Sequence, residues 1–367
     1  MSAIVFLTFC VLWLFFFQSD VMAVAQHTYS GGTTHYNRFI GTVTITAVLW
    51  LLQLFVFKLV PLRNHLHALT YFPSFLALAL LGVVTGRQNV GPWWLLLPVT
   101  LLLIWGFLVW MGRKMFKYEN KVHDSFFSRN MWVNMSFMVL MIIVVTSFTN
   151  TNAVYHYRAK MESRLLEEQV DKALQTGAKS LESDASLTML RAYGLSRKGL
   201  LAERLFQYPV TGSSADLVPQ TADSQSRLLR YPKDSVYAHL GAIPRDGMTT
   251  QRYLAALEHG DQASSAVCDY VLCGLLIDRN LDAFARTITN YYEVSDSAQL
   301  ASHYREALVL YTHQRAHPHL VYHHAVTDED YRNLQELEAM YADPRERKIR
   351  VLEKYFGSYW YYYKYMR

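Results

Sequence analysis

The residues best suited to metal chemistry lie in one stretch near the carboxyl end, THQRAHPHLVYHHAVTDED. Its candidate ligands are four imidazole side chains: His317, His319, His323 and His324. Imidazoles beside carboxylates form the donor set of many zinc sites. However, Pro318 breaks any helical i, i+4 face, and the stretch contains no HExxH pattern. We therefore expect no metal or cofactor, and we interpret acidic residues 328–330 as the first turn of a helix capped by Thr327.

Asp20 is the candidate for acid–base chemistry. It follows the first apolar run, in a segment that also contains His27, His35 and the pair Gly31-Gly32. Membrane glycosyltransferases that use lipid-linked sugars place a catalytic acid in such a loop, where it binds a metal or takes up a proton. Such a fold needs more membrane spans than this chain offers, and a lone Asp at a helix end is common. An enzyme of this type is the alternative hypothesis, and no P-loop, GxGxxG, GxSxG or kinase motif adds another.

The composition divides the chain into two parts that need different solvents. Residues 1–150 contain nine Lys or Arg and three Asp or Glu, whereas residues 151–367 contain twenty-six and twenty-seven. An apolar part with basic loops is typical of a lipid-embedded domain and not of a nucleic-acid groove. We therefore predict a transmembrane domain over 1–152 and a water-soluble domain over 153–367.

Five apolar runs approach the length of about 20 residues that a membrane-spanning helix needs. They are residues 2–18, 39–60, 66–85, 91–112 and 131–150. Their interiors contain almost no ionisable side chain, which argues against a transporter or channel. Gln53 and Asn134 are polar exceptions, and such residues usually join neighbouring helices.

The basic residues of the loops predict the orientation. The loops after the second and fourth runs collect seven Lys or Arg, whereas those after the first and third contain only Arg38 and Arg87. Because basic loops stay in the cytoplasm, we expect a cytoplasmic amino terminus and an extracytoplasmic carboxyl-terminal domain. Arg158, Lys160 and Arg164 after the fifth run argue for the opposite orientation.

The soluble part has helical periodicity and few alternating apolar runs, which predicts an all-α fold. A helical hairpin is expected at 187–209, a polar loop at 211–226, and further helices at 249–259, 263–278, 281–292, 297–315, 328–342 and 344–363. We interpret the whole chain as about five transmembrane helices followed by a soluble array of helical hairpins.

The helix pairs have the spacing of tetratricopeptide repeats, in which a small residue lets two helices approach and an aromatic ring fills the gap. Ala202 precedes an aromatic residue by four positions, as does Ala307. An all-helical domain without a true repeat is the alternative interpretation, and either array offers a surface for a partner. The aromatic candidates for partner binding are Tyr193, Phe206, Tyr304 and Tyr311.

The chain ends in YFGSYWYYYKYMR, in which eight of thirteen residues are aromatic. Asp343 is expected to cap the last helix and Pro344 to begin it. We expect this helix to cover the open end of the array. The alternative places Tyr359, Trp360 and Tyr363 at a membrane interface, because amphipathic rings favour the lipid–water boundary.

Four stretches resemble an uncharacterised bacterial multi-pass membrane protein family with a tetratricopeptide-like carboxyl-terminal region. They are QSDVMAVAQHTYSGGTTHYNRFIGTVTITAVLWLLQL at 18–54, LTYFPSFLALALL at 69–81, HYREALVLYTHQRAHP at 303–318 and FGSYWYYYKY at 356–365. The resemblance implies a bacterial cell envelope and carries no catalytic assignment.

These features favour a membrane-anchored scaffold of the bacterial inner membrane that mediates protein–protein interaction without catalysis. Its expected partners are the lipid bilayer and an unidentified envelope protein, with no nucleic acid.

Overall fold

The computed structural model describes residues 1–60, 62, 64–86, 96–115, 128–260, 263–295 and 299–366. The chain forms two compact units, Met1–Asn152 and Ala153–Arg367, each with its own hydrophobic core. Every regular element in the described residues is helical, which confirms the predicted all-α fold. Four basic residues used to predict the orientation lie outside the described residues: Arg63, Arg87, Lys117 and Lys121.

The amino-terminal unit contains six α-helices in its described residues. They are α1 (Ser2–Leu12), α2 (Ser19–Ser30), α3 (Arg38–Leu59), α4 (Phe72–Gly86), α5 (Leu96–Met115) and α6 (Arg129–Phe148). A π-helical turn, Trp13–Phe17, extends α1, and a 3-10 helix, Asn64–Tyr71, leads into α4.

Three helices are long and apolar enough to cross a membrane, namely Arg38–Leu59, Leu96–Lys114 and Arg129–Phe148. A fourth span exists only if the bent pair Ser2–Phe17 and Ser19–Ser30, which meet at 70°, counts as one. The expected number of about five is therefore too high for the described residues. The first residues of the predicted span 91–112, residues 91–95, lie outside them.

The segment predicted to span the membrane at 66–85 is not one continuous α-helix. Residues up to Tyr71 form the 3-10 helix, and α4 begins at Phe72. Pro73 accounts for this start, since proline lacks an N–H group and fits best in the first turn of a helix. The apolar helix Leu66–Gly82 is shorter than the three qualifying spans.

Gln53 and Asn134 both join long helices to the 3-10 helix, as predicted. Gln53 on α3 donates through Nε2 to Thr70 Oγ1 at 3.3 Å. Asn134 on α6 accepts from the backbone N–H of Ala68 at 2.6 Å. These bonds satisfy polar groups inside an apolar bundle, where an unpaired amide is costly.

The carboxyl-terminal unit contains twelve α-helices in its described residues. They are α7 (Ala153–Leu166), α8 (Val170–Gln175), α9 (Ala185–Ser196), α10 (Leu201–Arg204), α11 (Lys233–Leu240), α12 (Thr250–Glu258), α13 (Ala266–Ile277), α14 (Leu281–Thr287), α15 (Ser302–Gln314), α16 (Ala325–Met340), α17 (Pro344–Tyr355) and α18 (Tyr359–Tyr365). Short 3-10 helices lie at Leu205–Gln207, Ser214–Leu217 and Ile288–Asn290.

Three helix pairs of this unit, α7–α8, α9–α10 and α13–α14, close with the same turn. Its left-handed residues Glu168, Gly199 and Arg279 have φ values of 58°, 67° and 56°. In each turn the next residue donates its N–H at 2.9 Å to the carbonyl five positions back, namely Gln169 to Arg164, Leu200 to Leu195 and Asn280 to Leu275. This is the Schellman arrangement that ends many helices. The unit therefore uses one helical-hairpin turn repeatedly.

The segment 211–226, expected to be a loop or a flexible insertion, is packed into the unit. Leu217 and Val218 are buried. The carboxylate of Asp216 accepts from the N–H of Ser213 at 2.9 Å and from the N–H of Gln225 at 2.7 Å. Its polar composition therefore serves internal hydrogen bonds, which turn residues commonly make with nearby backbone.

Candidate functional site

The last two helices begin at well-defined caps. The side chain of Asp343 accepts from the N–H groups of Arg345 and Glu346, and Pro344 is the first residue of α17, which confirms the predicted helix start. The expected single helix over 344–363 is wrong, because Gly357, at φ 98°, separates α17 from α18. Glycine has no Cβ and tolerates this conformation, so the chain can turn here.

The aromatic residues of α18 point into the unit. Tyr359 and Trp360 are 0% and 2% exposed. Trp360 Nε1 donates to the carbonyl of Glu306 at 2.8 Å, and the Tyr362 hydroxyl donates to the carbonyl of Ile277 at 2.7 Å. The expected covering helix is thus observed. The membrane-interface role is wrong for Tyr359 and Trp360, because these rings have no surface left for lipid; Tyr363 is half-buried and donates to Gln314 Oε1 at 3.3 Å.

The four aromatic residues expected to bind a partner are core residues instead. Tyr193, Phe206, Tyr304 and Tyr311 are each at most 3% exposed. Phe206 packs edge-on against Tyr359 with ring centroids 5.0 Å apart. The repeat-like spacing therefore marks helix packing, since rings that fill gaps between helices are removed from the surface.

A cavity of about 520 Å³ opens beside α17 and α18. Such a volume falls in the range of about 300–1,000 Å³ common to ligand pockets. We call it the C-terminal cavity. Its walls come from five separate segments of the chain, and its lining residues are Leu181, Pro209, Val210, Thr211, Gly212, Arg279, Lys348, Leu352, Phe356, Tyr361, Tyr362, Tyr365 and Met366.

Arg191 holds one wall of the C-terminal cavity in place. This buried guanidinium donates to the carbonyls of Gly177 at 3.1 Å and Pro209 at 3.4 Å. It also lies 5.0 Å from the centre of the Tyr208 ring. Burial lowers the pKa of Arg191 to about 10, so the side chain remains charged at neutral pH.

Arg279 forms the floor of the same cavity from the left-handed turn between α13 and α14. Its guanidinium lies 4.7 Å from the centre of the Tyr362 ring and donates through Nη2 to the carbonyl of Met366. A cation at this position complements the carboxyl end of α18. Burial raises the pKa of Tyr362 to about 12, which keeps its hydroxyl neutral beside this cation.

Lys348 brings a second positive charge to the cavity from α17 and is exposed. Among the residues that the structure describes, no acidic side chain lines the cavity. In the part of the chain that the structure describes, no carboxylate forms an ion pair with Lys348 or Arg279. The site is therefore an aromatic pocket with two cations that lack acidic partners.

The histidine stretch forms a helix cap and a surface segment. The ring of His324 accepts from the N–H of Thr327 at 3.3 Å, so His324 caps α16 and the expected cap Thr327 lies inside the helix. His323 lies 3.6 Å from the carboxylate of Asp328, whereas His317 and His319 are exposed. No group of three His, Cys, Asp or Glu side chains in the described ranges could hold a metal ion.

Asp20 lies in the first turn of α2, directly after the 70° bend, and is half-buried. Its neighbour Ser19 accepts from Arg38 Nη2 at 2.7 Å. His27 is in the last turn of the same helix, so it stands two turns away along the axis. The structure does not bring Asp20 and the histidines of this segment into one cluster.

The cysteines offer no activated nucleophile. Cys10 and Cys273 are buried, Cys268 is half-buried, and all three are free thiols. Burial raises the pKa of Cys268 and Cys273, and the nearby Asp269 acts in the same direction. Both therefore remain thiols at neutral pH, whereas the thiolate is the reactive species.

Arg279 and Lys348 were not among the functional residues predicted from the sequence. Arg279 lies in a turn between two helices and Lys348 in a charged first half of a helix, where basic residues are ordinary. Their separation of 69 positions gives no spacing signal. They line one cavity because α18 contacts Arg279 and also packs against α17.

Residues 220–366 match the model of a family described as a family of unknown function (DUF6057). The matched range contains α11 to α18, with Arg279 and Lys348, but not the cavity wall at 209–212. No curated protein and no solved structure matches the chain. The expected similarity to an uncharacterised family is thus supported for the carboxyl-terminal part.

Proposed function

We propose that this protein is a membrane-anchored helical scaffold of the bacterial cell envelope. Its apolar helices hold it in the inner membrane, and its carboxyl-terminal unit stands on the periplasmic side. There it binds a segment of another envelope protein in the C-terminal cavity and performs no catalysis.

The observation that carries this proposal is the C-terminal cavity itself. It is lined by aromatic and aliphatic side chains with few polar groups, which is the usual character of a binding site. Repeated hairpin turns build the unit around it, and stacked helical hairpins commonly present binding surfaces.

Site-specific photocrosslinking in native membranes tests the proposal. Thr211 is exposed at the cavity, and replacing it with benzoylphenylalanine places a reactive group at the entrance. We expect a single crosslinked protein of defined mass. The matched control is Ile349, which is 55% exposed on α17 but does not line the cavity, and should give no such product.

The crosslinked protein is then purified and its binding measured directly. Thr211→Trp should fill the cavity entrance and weaken binding at least tenfold, whereas Ile349→Trp should leave the affinity unchanged. If position 211 gives no product beyond that of position 349, or if both Trp variants bind alike, the scaffold proposal is wrong.

The second candidate remains an enzyme acting on a lipid-linked sugar, with Asp20 as its acid. The bend before α2 supports it, because Asp20 is half-buried there beside Ser19. The hydroxyl of Ser19 accepts from Arg38, which begins the qualifying apolar helix α3. Asp20→Asn should abolish turnover of such a substrate and leave partner crosslinking at position 211 intact. Unchanged glycolipid composition in cells carrying Asp20→Asn would exclude this enzyme.

A further inference from the structure

From the charge and lining of the C-terminal cavity, we infer that its occupant is an acidic peptide segment in which a carboxylate side chain lies next to an aromatic or aliphatic one. This inference rests on the proposed function, since it names the chemistry of the docked segment.

The electrostatic argument begins with the two cations. Arg279 and Lys348 both line the cavity, and no acidic residue of the described ranges does. Arg279 donates through Nη2 to backbone carbonyls and forms no ion pair with a carboxylate of the described residues, since the nearby Asp278 accepts from the N–H and the hydroxyl of Ser214 instead. Like charges that share a pocket repel each other and raise the local potential. A carboxylate placed between them relieves that repulsion, which favours an anionic occupant.

The apolar walls determine what must accompany the carboxylate. Leu352 of α17 and Phe356, the residue after that helix, contribute one wall, and Tyr361 and Tyr365 of α18 contribute stacked rings with centroids 5.7 Å apart. A bare anion would leave these surfaces in contact with water. A neighbouring aromatic or aliphatic side chain would bury them, which is favourable by about 25 cal/mol for each Å².

The apolar wall at residues 209–211 favours a polypeptide over a small anion, because it continues the surface that an apolar side chain can bury. Residues 209–211 have no regular secondary structure, and Val210 is buried while Thr211 is exposed. Thr211 donates its N–H to Thr188 Oγ1 at 3.0 Å, which fixes the direction of this backbone. Because the Pro209 carbonyl accepts from Arg191 as well, a peptide would dock on this wall through its side chains and not by strand addition.

Two synthetic peptides isolate the carboxylate. The first is acetyl-Gly-Phe-Asp-Gly-amide, and the second replaces Asp with Asn and is otherwise identical. Saturation-transfer NMR with the full-length protein in lipid nanodiscs gives the affinity of each. We expect the Asp peptide to bind at least tenfold more tightly, with a preference that declines as salt increases.

Variants of α17 assign the charge. Lys348→Ala removes the exposed cation and should reduce the preference for the Asp peptide at least threefold. Lys354→Ala, also exposed on α17 but outside the cavity, is the matched control and should keep the full preference. Arg279→Gln should reduce the preference further, and its melting temperature reports whether the unit remains folded.

Equal affinity for the two peptides, no binding of either at millimolar concentration, or equal behaviour of Lys348→Ala and Lys354→Ala would each overturn the inference. The scaffold proposal fails separately. If a partner crosslinks at position 211 but its binding is unchanged by Lys348→Ala, the scaffold proposal stands and the acidic-segment inference fails. If the Asp peptide is clearly preferred but no partner crosslinks, the cavity binds acidic segments and the scaffold proposal fails.

Discussion

Glu162 shows how a buried charge can organise distant backbone. Its side chain is 0% exposed on α7, and its carboxylate accepts from the N–H groups of Leu229, Arg230 and Tyr231, with the shortest bond at 2.7 Å. Burial raises the pKa of Glu162, while these three donors act in the opposite direction by favouring the anion. The residue thus holds the chain before α11 against the first helix of the unit.

Replacing Glu162 with Gln should therefore destabilise the carboxyl-terminal unit. One carboxylate oxygen becomes an NH₂ group that faces the N–H of Leu229 and cannot accept from it, and the other oxygen accepts from Arg230 and Tyr231 without a negative charge. The expected loss is about 1–3 kcal/mol in the free energy of unfolding. Thermal unfolding of the full-length protein in detergent measures it. Glu167→Gln, at an exposed ion pair with Arg164, should change the melting temperature little; equal effects would show that Glu162 does not hold this segment.

His239 predicts a dependence of stability on pH. Its Nε2 lies 2.8 Å from Ser196 Oγ, and burial, followed by the charge of Arg197, lowers its pKa. The unfolded imidazole, with a pKa of about 6.5, takes up a proton at higher pH than the folded one. The neutral His239 ring therefore makes its full contribution to the free energy of unfolding above about pH 6.5. That contribution is lost as the pH falls through the lowered pKa of the folded state.

His239→Gln should remove this part of the acid sensitivity. The melting temperature of the natural protein should fall more between pH 7.5 and 5.5 than that of the variant, because Gln does not titrate. His317→Gln, at an exposed position, is the control and should retain the natural slope. Parallel slopes for natural protein and His239→Gln would contradict the assignment.

Among the elements, α4 and α6 approach closely at a glycine. A Cβ atom on Gly82 would stand 2.4 Å from Thr149 Cγ2, whereas a Cβ on Gly106 of α5 meets nothing within 4 Å. Small residues permit such close approach between membrane helices. The sequence shows two similar glycines in apolar runs, and only the packing distinguishes them.

Gly82→Val should consequently destabilise the amino-terminal unit, and Gly106→Val should not. The side chain at position 82 must displace Thr149, which is almost fully buried, and overpacking typically costs about 1–3 kcal/mol. The melting temperature and the monodisperse fraction after detergent extraction measure the effect. If Gly106→Val is equally harmful, the close contact of α4 with α6 is not the cause.

For the whole molecule, the apolar helices predict membrane association. Full-length protein should sediment with membranes and dissolve only in detergent, because three helices qualify as spans. Reporter fusions after Lys121 and after Lys179 should give signals from opposite sides, with the second outside the cytoplasm. Signals from the same side would show that Arg129–Phe148 does not cross the membrane, and signals from exchanged sides would reverse the proposed orientation. Soluble full-length protein would exclude the membrane anchor.

Helix type and several helix ends were predictable because they depend on local chemistry. Asp343 and Pro344 start a helix through their own side chains, and the apolar run at 39–60 corresponds closely to α3. Whether each aromatic residue is buried or exposed was harder to predict from the sequence. Tyr359 suits a membrane surface and a protein core equally well, because its ring is apolar and its hydroxyl needs an acceptor in either environment.

The sequence by itself determined the all-α fold and the contrast between an apolar first part and a charged second part, because periodicity and composition are properties of neighbouring residues. The tertiary structure alone decided that the aromatic tail is internal and that Arg279 and Lys348 share a cavity. Residues 69 positions apart come together only when helices pack, and this packing is stabilised by contacts throughout the core and not by neighbouring residues alone.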